Sequence, residues 1–435
     1  MGRVLNILVR DERGDIARVT KGMDSTQFQI RDWQADSRDD LLGKPVWDAV
    51  IIATDNPDQI EQDTRAIRAS ACGDIPVLAL AEFNPLPHGA DGWLRSPALA
   101  SQIAARLRTL SRLRTMEDIV VRRRAAAQVF GLKFNEDERD TFGRPCVLFV
   151  GDATPRFMNL RHALADGDAD VIAAFSSYSA FDYLHERPFD AVVLNAMKSR
   201  DVAFTISSAM RRNTRLYHTP VLLLAHAGLK DDTDEAFARG VSDLLPENAA
   251  DDEIRGRILL LAEERRRRRR AKAEFEACRT PKILDDDTGL FKQGFALAHL
   301  QDLLNAAHKT ERITGLVLMH LGAPDDTQSD TSVRAARRQF ASMLRHLLRA
   351  EDCPASLGPD LFAAILPTTD RDGAKCVAER VVAIADCTAF EGDDPLKPFR
   401  LTVQTVAIEA HGDETAEAVI ERAQRHMELP KAKVI

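Results

Sequence analysis

The sequence lacks the features that define several large classes of protein. Aromatic residues make up only 6% of the 435 residues, which argues against a surface that stacks nucleic-acid bases. No apolar run approaches the roughly 20 residues that a membrane-spanning helix needs. The amino-terminal segment MGRVLNILVRDER has no apolar stretch before a cleavage site, so we expect no secretory signal. We therefore expect a cytoplasmic protein with no membrane span.

Cysteine and charge exclude further classes. The six cysteines are scattered and form no CxxC pair, which argues against a zinc site and against a disulfide framework. The 59 basic and 67 acidic residues give a net charge of −8, so the chain is not a general nucleic-acid binder. Hydrophobic residues, at 45%, are frequent enough for real cores. At about 100–200 residues per domain, the length predicts about two to four domains.

The same order of short apolar segments occurs twice, once in residues 1–120 and again in residues 143–265. Each copy opens with an apolar run that stops at a carboxylate, Asp11 in the first and Asp152 in the second, as buried parallel strands do at their carboxyl ends. The matched segments, in chain order, are VLNILV with VLFV, WDAVII with FDAVVL, IPVLAL with TPVLLL, and GADGWL with GVSDLL. Amphipathic stretches separate them, and strands alternating with helices predict two doubly wound parallel sheets of the flavodoxin type, hence an α/β protein.

Both copies resemble the receiver domains of two-component response regulators. In that family an acidic pair binds Mg²⁺, and an aspartate at the end of the third strand accepts a phosphoryl group. The resemblance assigns Asp11 and Glu12 as the acidic pair of the first copy. It places Ala53 at the acceptor position, so the nearby Asp55 is the candidate phosphoacceptor, unless it is only a loop acid favoured by a helix N-terminus. In the second copy Asn195 occupies the acceptor position, and an amide cannot form an acyl phosphate.

Two charged segments connect the predicted domains, residues 121–142 and residues 266–282. The first segment includes the C-terminal part of a helix predicted over residues 98–133. The second belongs to a run of six consecutive arginines at residues 265–270, a pattern that can indicate nucleic-acid binding. Glutamates flank the run, and Arg, Ala, Lys and Glu all favour helix. We therefore predict a solvated helical stalk and no nucleic-acid partner.

Residues 283–435 resemble a GGDEF domain, the fold of diguanylate cyclases. The motif that opens the family, DxLTGL, is represented by DDTGL at residues 286–290, and the signature hairpin by GPDLF at residues 358–362. The apolar strand GLVLMH, the Leu-Pro pair after the hairpin and the AER triplet of the next helix follow in the order of the family. The resemblance implies a nucleotidyl-cyclase-like α/β domain.

The positions that the cyclase reaction needs are altered. Joining two GTP molecules requires a divalent metal held by carboxylates. The resemblance places His320 at the first metal position, although imidazole is a poor Mg²⁺ ligand, and Leu361 at the acidic position of the signature. Gly358 and Asp360 are retained, but Pro359 replaces a glycine and removes a backbone N–H. We predict a degenerate site, with no catalytic residue, no metal there and no enzyme activity.

A second nucleotide site of the family is retained. Arg349 and Asp352 form an RxxD motif with five residues between it and Gly358, which is the family spacing, and Arg380 matches a third position. The resemblance implies that these three residues bind cyclic di-GMP. An arginine fork can donate twice to phosphate or guanine acceptors, and an aspartate can accept from guanine N–H groups. The alternative is a surface Arg–Asp pair of little energetic weight.

Two receivers, a degenerate cyclase and an intact RxxD motif together resemble the PopA-type family of PleD-like regulators. The resemblance implies a non-catalytic receptor and adaptor for cyclic di-GMP, dimeric and located at a cell pole. It also implies protein partners, namely an adaptor such as RcdA and the CtrA/ClpXP pathway of cell-cycle proteolysis. Two other hypotheses stay open: a weak or phosphorylation-activated diguanylate cyclase, and a nucleic-acid-binding regulator that uses the arginine run.

Overall fold

The chain folds into two compact units. The first unit consists of residues 4–114 and 136–270, and the second of residues 115–135 and 271–435. The computed structural model describes residues 4–14, 23–33, 42, 47–70, 72–82, 89–96, 98–134, 143–153, 155–165, 168–196, 200–225, 233–246, 248–310, 312–322, 329–394 and 396–428. Both predicted receivers therefore lie in one unit. The domain boundaries drawn from the sequence stay predictions.

The first unit contains a five-stranded parallel sheet built from the first copy of the repeat. Its strands are β1 (Leu5–Asp11), β2 (Phe28–Asp32), β3 (Ala49–Ala53), β4 (Val77–Ala81) and β5 (Gly92–Arg95), followed along the chain by helix α2 (Ala100–Val129), with helix α1 (Pro57–Ala69) between β3 and β4. The strands lie in the order β2-β1-β3-β4-β5. Helix α1 begins after Asn56, whose side chain accepts from the backbone N–H groups of the first turn.

The second copy builds a second parallel sheet in the same unit. Its elements are β6 (Cys146–Val150), α3 (Pro155–Ala165), β7 (Asp170–Ala174), α4 (Ser177–Glu186), β8 (Ala191–Asn195), α5 (Arg200–Arg212), β9 (Val221–Ala225), α6 (Thr233–Ala238), β10 (Asp243–Pro246) and α7 (Asp251–Ala277). The order β7-β6-β8-β9-β10 repeats that of the first sheet, and it is the flavodoxin order. Matching residues Asp48 and Asp190 each accept a backbone N–H from the first strand of their own sheet. The predicted duplication and fold class are confirmed.

The second unit is built on a mixed sheet. Its elements are β11 (Phe291–Lys292), α8 (Gln293–Thr310), β12 (Thr314–Gly322), α9 (Asp330–Leu347), β13 (Cys353–Ser356), β14 (Leu361–Pro367), α10 (Arg371–Cys387), β15 (Thr402–Ala410) and α11 (Ala416–Glu428). The order is β11-β13-β14-β12-β15, and the predicted hairpin β13–β14 is antiparallel. The sequence analysis did not predict helix α11. Among the described helices, none has the length and apolar character needed to cross a membrane.

The prediction of a solvated stalk at residues 265–270 is half right. The segment is helical, since it lies within α7, but all six side chains are half-buried. They bind neighbours in the first unit: Arg269 pairs with Asp190 at 3.1 Å, and Arg266 donates to the backbone oxygen of Gly143. Half-burial removes part of the water around these guanidinium groups. Carboxylates and carbonyls of the same unit replace that water as hydrogen-bond partners.

Candidate functional site

The residues that the sequence analysis assigns to the cyclase site meet at one end of the β12–β14 strand pair. His320 of β12 lies directly opposite Leu361 of β14 in the antiparallel register. The turn that precedes Leu361 is closed by the Leu357 N–H, which donates to the Leu361 carbonyl at 2.8 Å, and Pro359 is exposed at its tip. At this end of the two strands an imidazole and an apolar side chain therefore lie opposite each other.

The carboxylate that is retained here, Asp360, already has a cationic partner. It forms an ion pair with Arg337 of α9. The next residue of the helix, Arg338, similarly donates to Asp287 of the opening motif, with its Nε 2.8 Å from Oδ1. Among the described residues, no group of three or more His, Cys, Asp or Glu side chains is arranged to hold a metal ion. The carboxylate charge here is therefore neutralised by guanidinium groups of the protein.

The RxxD motif forms a tight turn at the end of helix α9. Arg349 is exposed, whereas Asp352 is only 5% exposed. The carboxylate of Asp352 accepts a hydrogen bond from the backbone N–H of Arg349 at 2.8 Å, and the Asp352 N–H donates to the Arg349 carbonyl at 3.2 Å. The aspartate thus shapes the turn from inside while the arginine side chain projects from it. We call residues 349–352 the RxxD turn.

Burial perturbs the titration of Asp352. The pKa of its carboxyl is raised from 3.8 to about 7, first because burial disfavours the charged form and second because Glu351 places another carboxylate beside it. The hydrogen bond from Arg349 and the charges of Arg349 and Arg123 act in the opposite direction. Near neutral pH this side chain is therefore divided between its protonated and ionised forms.

Arg123 of helix α2 holds the RxxD turn from within the second unit. Its guanidinium donates to three consecutive backbone carbonyls, those of residues 350–352, at 3.0, 2.6 and 3.0 Å. It also lies over the rings of Phe275 and Phe291, with distances of 4.5 and 5.6 Å to the centroids. The side chain is 2% exposed. Because the guanidinium, both rings and two of the three carbonyls are buried, the turn is fixed to α2 by strong contacts.

Arg380 lies on the neighbouring helix α10 and is exposed. Helices α9 and α10 pack together over one face of the sheet, where Phe340 and Leu344 share a core with Val381. No hydrogen bond or ion pair connects Arg380 to Arg349 or Asp352 within the described ranges. The structure therefore brings Arg349 and Asp352 together in one turn and presents Arg380 to solvent from the neighbouring helix, without a contact between Arg380 and the other two.

The predicted phosphorylation site of the first receiver is occupied by an arginine. Arg13 forms an ion pair with Asp55 and a second with Glu82, at 2.7 Å. Asp11 accepts from the backbone N–H groups of Arg13 and Gly14, at 3.0 and 2.8 Å. With Asp11 turned to these groups, and Asp55 paired to a guanidinium, the residues as placed do not fit a Mg²⁺ site.

The second member of the acidic pair, Glu12, is also bound to other side chains. It accepts from the Thr54 hydroxyl at 2.7 Å and forms an ion pair with Arg10. These contacts, that of Thr54 first, lower the pKa of Glu12. Ala53 and Asn195, which the sequence analysis assigns to the acceptor positions, are the last residues of β3 and β8.

Comparison with known proteins agrees with this arrangement along most of the chain. The chain is 24% identical over 354 residues to the response regulator PleD of Caulobacter vibrioides, covering 80% of this chain and 77% of PleD. No family model matches. The similarity to PleD supports an architecture of receivers followed by a GGDEF domain.

Solved structures match single domains. The FimX GGDEF domain from Pseudomonas aeruginosa is 20% identical, covers 34% of this chain and 91% of its own, and has a TM-score of 0.31. The GGDEF domain of DgcB from Caulobacter crescentus in complex with c-di-GMP is 18% identical, with coverages of 34% and 87% and a TM-score of 0.32. The Francisella response regulator 1452 receiver domain is 20% identical, with coverages of 28% and 98% and a TM-score of 0.26. The fold assignment rests on the sheet topologies and not on these low scores.

Sequence reasoning missed Arg123 as part of the site. The signal was present: on α2, the residues Ile119, Val120, Ala126 and Ala127 are buried, and Arg123 falls on the same helical stripe. A charged residue in an apolar stripe needs buried partners. Its carbonyl partners lie more than 220 positions away in the chain, so no local pattern could have named them.

Proposed function

We propose that this protein is a response-regulator-type receptor that binds cyclic di-GMP at the RxxD turn and does not synthesise it. The observation that carries the proposal is the contrast between two sites in one unit. The RxxD turn is intact and held by Arg123. The cyclase end of the sheet pairs His320 with Leu361 and neutralises Asp360 with Arg337.

The RxxD turn offers a guanine nucleotide complementary groups. The exposed guanidinium of Arg349 can donate to phosphate oxygens or to the acceptor edge of guanine. The carboxylate of Asp352 has acceptor capacity beyond the bond from the Arg349 N–H. A guanine edge with two N–H groups would use that capacity and stabilise the ionised form. Arg380 would add a second exposed cation from α10.

The same unit is poorly equipped for cyclisation. The reaction needs carboxylate-bound metal to neutralise charge that builds on the transferring phosphate. His320 and Leu361 supply no carboxylate, and Pro359 supplies no N–H at the signature turn. A nucleotide metal would have to displace Arg337 from Asp360. We therefore assign the retained signature a structural role.

The output would be a change in which proteins the chain binds. A ligand shifts a conformational equilibrium only by its difference in affinity for the two states. Bound cyclic di-GMP would stabilise one arrangement of the RxxD turn, of α2 behind it and of any second copy that shares the ligand. In this proposal the stabilised form recruits an adaptor of the RcdA kind at a cell pole and so promotes delivery of CtrA to ClpXP.

Titration calorimetry with cyclic di-GMP tests the site. We expect R349A to bind at least about tenfold more weakly than the wild type, because one charge-assisted hydrogen bond contributes roughly 1.5–3 kcal/mol. The matched control is R334A, which removes an exposed arginine from helix α9, the helix that precedes the motif. R349A should keep the wild-type melting temperature. Equal affinity of R349A and wild type would remove the assignment.

The cyclase hypothesis has its own test. Purified protein is incubated with GTP and Mg²⁺, with and without acetyl phosphate, and cyclic di-GMP is measured by chromatography. We expect no product in either reaction, because the metal-binding carboxylates are replaced. Any product above that of a D360N control would overturn the non-catalytic proposal.

A further inference from the structure

A single arginine of the first unit connects the ends of three parallel strands. Arg13 follows β1 by two residues, Asp55 follows β3 by two residues, and Glu82 is the residue directly after β4. One terminal nitrogen of the Arg13 guanidinium pairs with Asp55, and the other lies 2.7 Å from the carboxylate of Glu82. Because the strand order is β2-β1-β3-β4-β5, this side chain reaches from β1 past β3 to β4.

The chain after β1 turns so that Arg13 meets these carboxylates. The carboxylate of Asp11 accepts from the backbone N–H groups of Arg13 and Gly14, at 3.0 and 2.8 Å. Gly14 has a φ of +71°, a conformation that glycine adopts at no steric cost. The Arg13 side chain is only 17% exposed, whereas those of Asp55 and Glu82 are 54% and 62% exposed. The cation is therefore the most enclosed member of this cluster.

A backbone hydrogen bond joins the two carboxylate-bearing segments directly. The Glu82 N–H donates to Oδ1 of Asp55 at 3.1 Å, so Asp55 accepts from the backbone after β4 as well as from Arg13. Two carboxylates bound to one guanidinium lie close enough to repel each other, and the cation between them offsets that repulsion. Any motion that separates the end of β1 from the end of β4 must break these contacts.

A second arginine neutralises other acids near the end of β1. Arg10, the penultimate residue of the strand, forms ion pairs with Glu12 and with Asp63 of α1, at 2.6 and 2.5 Å. Asp63 is fully buried, and the Arg10 guanidinium lies 5.6 Å from the centroid of the Trp33 ring. A buried carboxylate needs such a partner because it has lost its water. The protein therefore supplies its own cations to the acids around this strand.

We propose that Arg13 is a built-in cation that takes the place of a divalent metal in the first receiver and holds the ends of β1, β3 and β4 in one arrangement. Its guanidinium supplies the positive charge that neighbouring carboxylates require. Because it is part of the chain, no change in Mg²⁺ concentration removes it. The first receiver is then a fixed part of its unit, indifferent to Mg²⁺ and to phosphoryl donors. This inference does not depend on the function proposed for the RxxD turn.

Titration of the full-length protein with Mg²⁺ tests this role, with tryptophan fluorescence as the readout. All three tryptophans lie in the first receiver, at positions 33, 47 and 93, so the signal reports on that domain. The wild type should show no saturable response to millimolar Mg²⁺ and should take up no phosphoryl group from acetyl phosphate.

Removing the charge of Arg13 should create a response to the metal. R13Q keeps a hydrogen-bond donor but leaves Asp55 and Glu82 without their cation, so it should melt a few degrees lower than the wild type. Mg²⁺ commonly binds through one or two carboxylates and keeps several waters, and we expect R13Q to bind it saturably in the millimolar range. The double variant R13Q/D55N should lose most of that response, which assigns the ion to this cluster.

Two more variants complete the test. R65A is the matched control, because Arg65 belongs to the same receiver and its ion pair with Glu61 lies on the surface of α1; it should behave as the wild type does. R13K contacts one carboxylate in place of two, so it should fold even if R13Q does not, and should respond to Mg²⁺ more weakly than R13Q. The proposal fails if the wild type responds saturably to Mg²⁺ or is phosphorylated, or if neither variant of Arg13 responds to Mg²⁺, whatever its melting temperature.

Discussion

Asp352 stabilises the RxxD turn and, in our proposal, also accepts hydrogen bonds from the ligand. Its carboxylate closes the turn on the Arg349 N–H, yet burial and Glu351 hold its pKa at about 7. Because this carboxyl group changes its protonation near neutral pH, both ligand binding and folding stability should depend on pH. Two measurable consequences follow, one for binding and one for folding.

Binding of cyclic di-GMP should strengthen as the pH rises. The ligand uses the ionised carboxylate of Asp352, and that form is scarce below the folded-state pKa of about 7. Below pH 7 the affinity should therefore fall, by up to about tenfold per pH unit. Calorimetry at pH 6, 7 and 8 checks this. D352N should bind weakly at each pH and show no such trend, whereas an equal trend in D352N would assign the pH effect to another group.

The same carboxyl should make the protein less stable as the pH rises from about 4 to 7. Its folded-state pKa lies above the ordinary value of 3.8, so in this window the folded chain binds a proton that the unfolded chain has lost. Stability must then decrease with rising pH. D352N lacks this contribution. Urea unfolding at pH 5 and pH 8 should show that the stability of D352N relative to wild type increases at the higher pH, and the opposite change would contradict the raised pKa.

At the scale of single elements, helix α2 links the predicted ligand turn to the rest of its unit. Arg123 donates to the carbonyls of residues 350–352, and Ile119 and Val120 of the same helix lie in the core with Phe291. Any movement of α2 along or about its axis must therefore displace the RxxD turn or break these hydrogen bonds. Such a helix can change the ligand site without touching the ligand.

Replacing Arg123 should loosen the RxxD turn. R123A leaves three carbonyls of the turn, two of them buried, without their donor. We expect a loss of roughly 2–4 kcal/mol in the free energy of unfolding, with weaker cyclic di-GMP binding. The matched control is R122A, whose side chain makes ion pairs with Asp118 and Asp302 at 3.0 and 3.6 Å. Partly exposed pairs of this kind contribute about 0–1 kcal/mol.

Hydrogen exchange distinguishes this role of Arg123 from a general loss of stability. In R123A, exchange should increase most at the backbone N–H groups of Asp352 and of residues beside it. R123K should recover part of the protection, because an ammonium reaches one carbonyl where the guanidinium reaches three. Uniformly faster exchange across the second unit would show that Arg123 only supports the core.

Local patterns predicted most of these elements. Two flavodoxin-type sheets could be predicted from short apolar runs, the first of each copy ending at Asp11 or Asp152, and from the helical stretches between them. This was possible because strand length and the alternation of strands with helices are visible in the local sequence. The Gly358–Pro359 pair likewise predicted the turn of the β13–β14 hairpin. Contacts between distant residues were not: nothing near Arg13 in sequence indicates that it pairs with Asp55 and Glu82.

At the scale of the whole molecule, the units do not follow the order of the chain. The sequence predicts a third domain that starts at residue 283, yet the second unit also includes residues 115–135 and 271–282. Met116, Ile119 and Phe275 belong to the same core as Phe291 and Phe295. Met116 and Ile119, predicted at the end of the first receiver (residues 1–120), and Phe275, predicted as linker (residues 266–282), therefore share a hydrophobic core with residues of the predicted third domain.

Cutting the chain at the predicted boundary should expose that core. A fragment of residues 283–435 lacks the apolar side of α2, so it should melt at least about 10 °C lower than the second unit does in the intact protein, or aggregate. A synthetic peptide of residues 113–134 added in trans should raise the melting temperature. A fragment of residues 283–435 with full stability and no response to the peptide would show that the domain boundary predicted from the sequence is the structural one.

The division of the second unit into two stretches of chain has a consequence for synthesis on the ribosome. The apolar half of α2, including Met116, Ile119 and Val120, emerges before residues 136–270 are made, but its partners come after them. At roughly 5–20 residues per second, this stripe waits on the order of ten seconds or more for the strands that cover it. During that interval it is a surface that chaperones can bind, so the cellular yield of this protein should depend on them more than that of a regulator whose domains each close as they emerge.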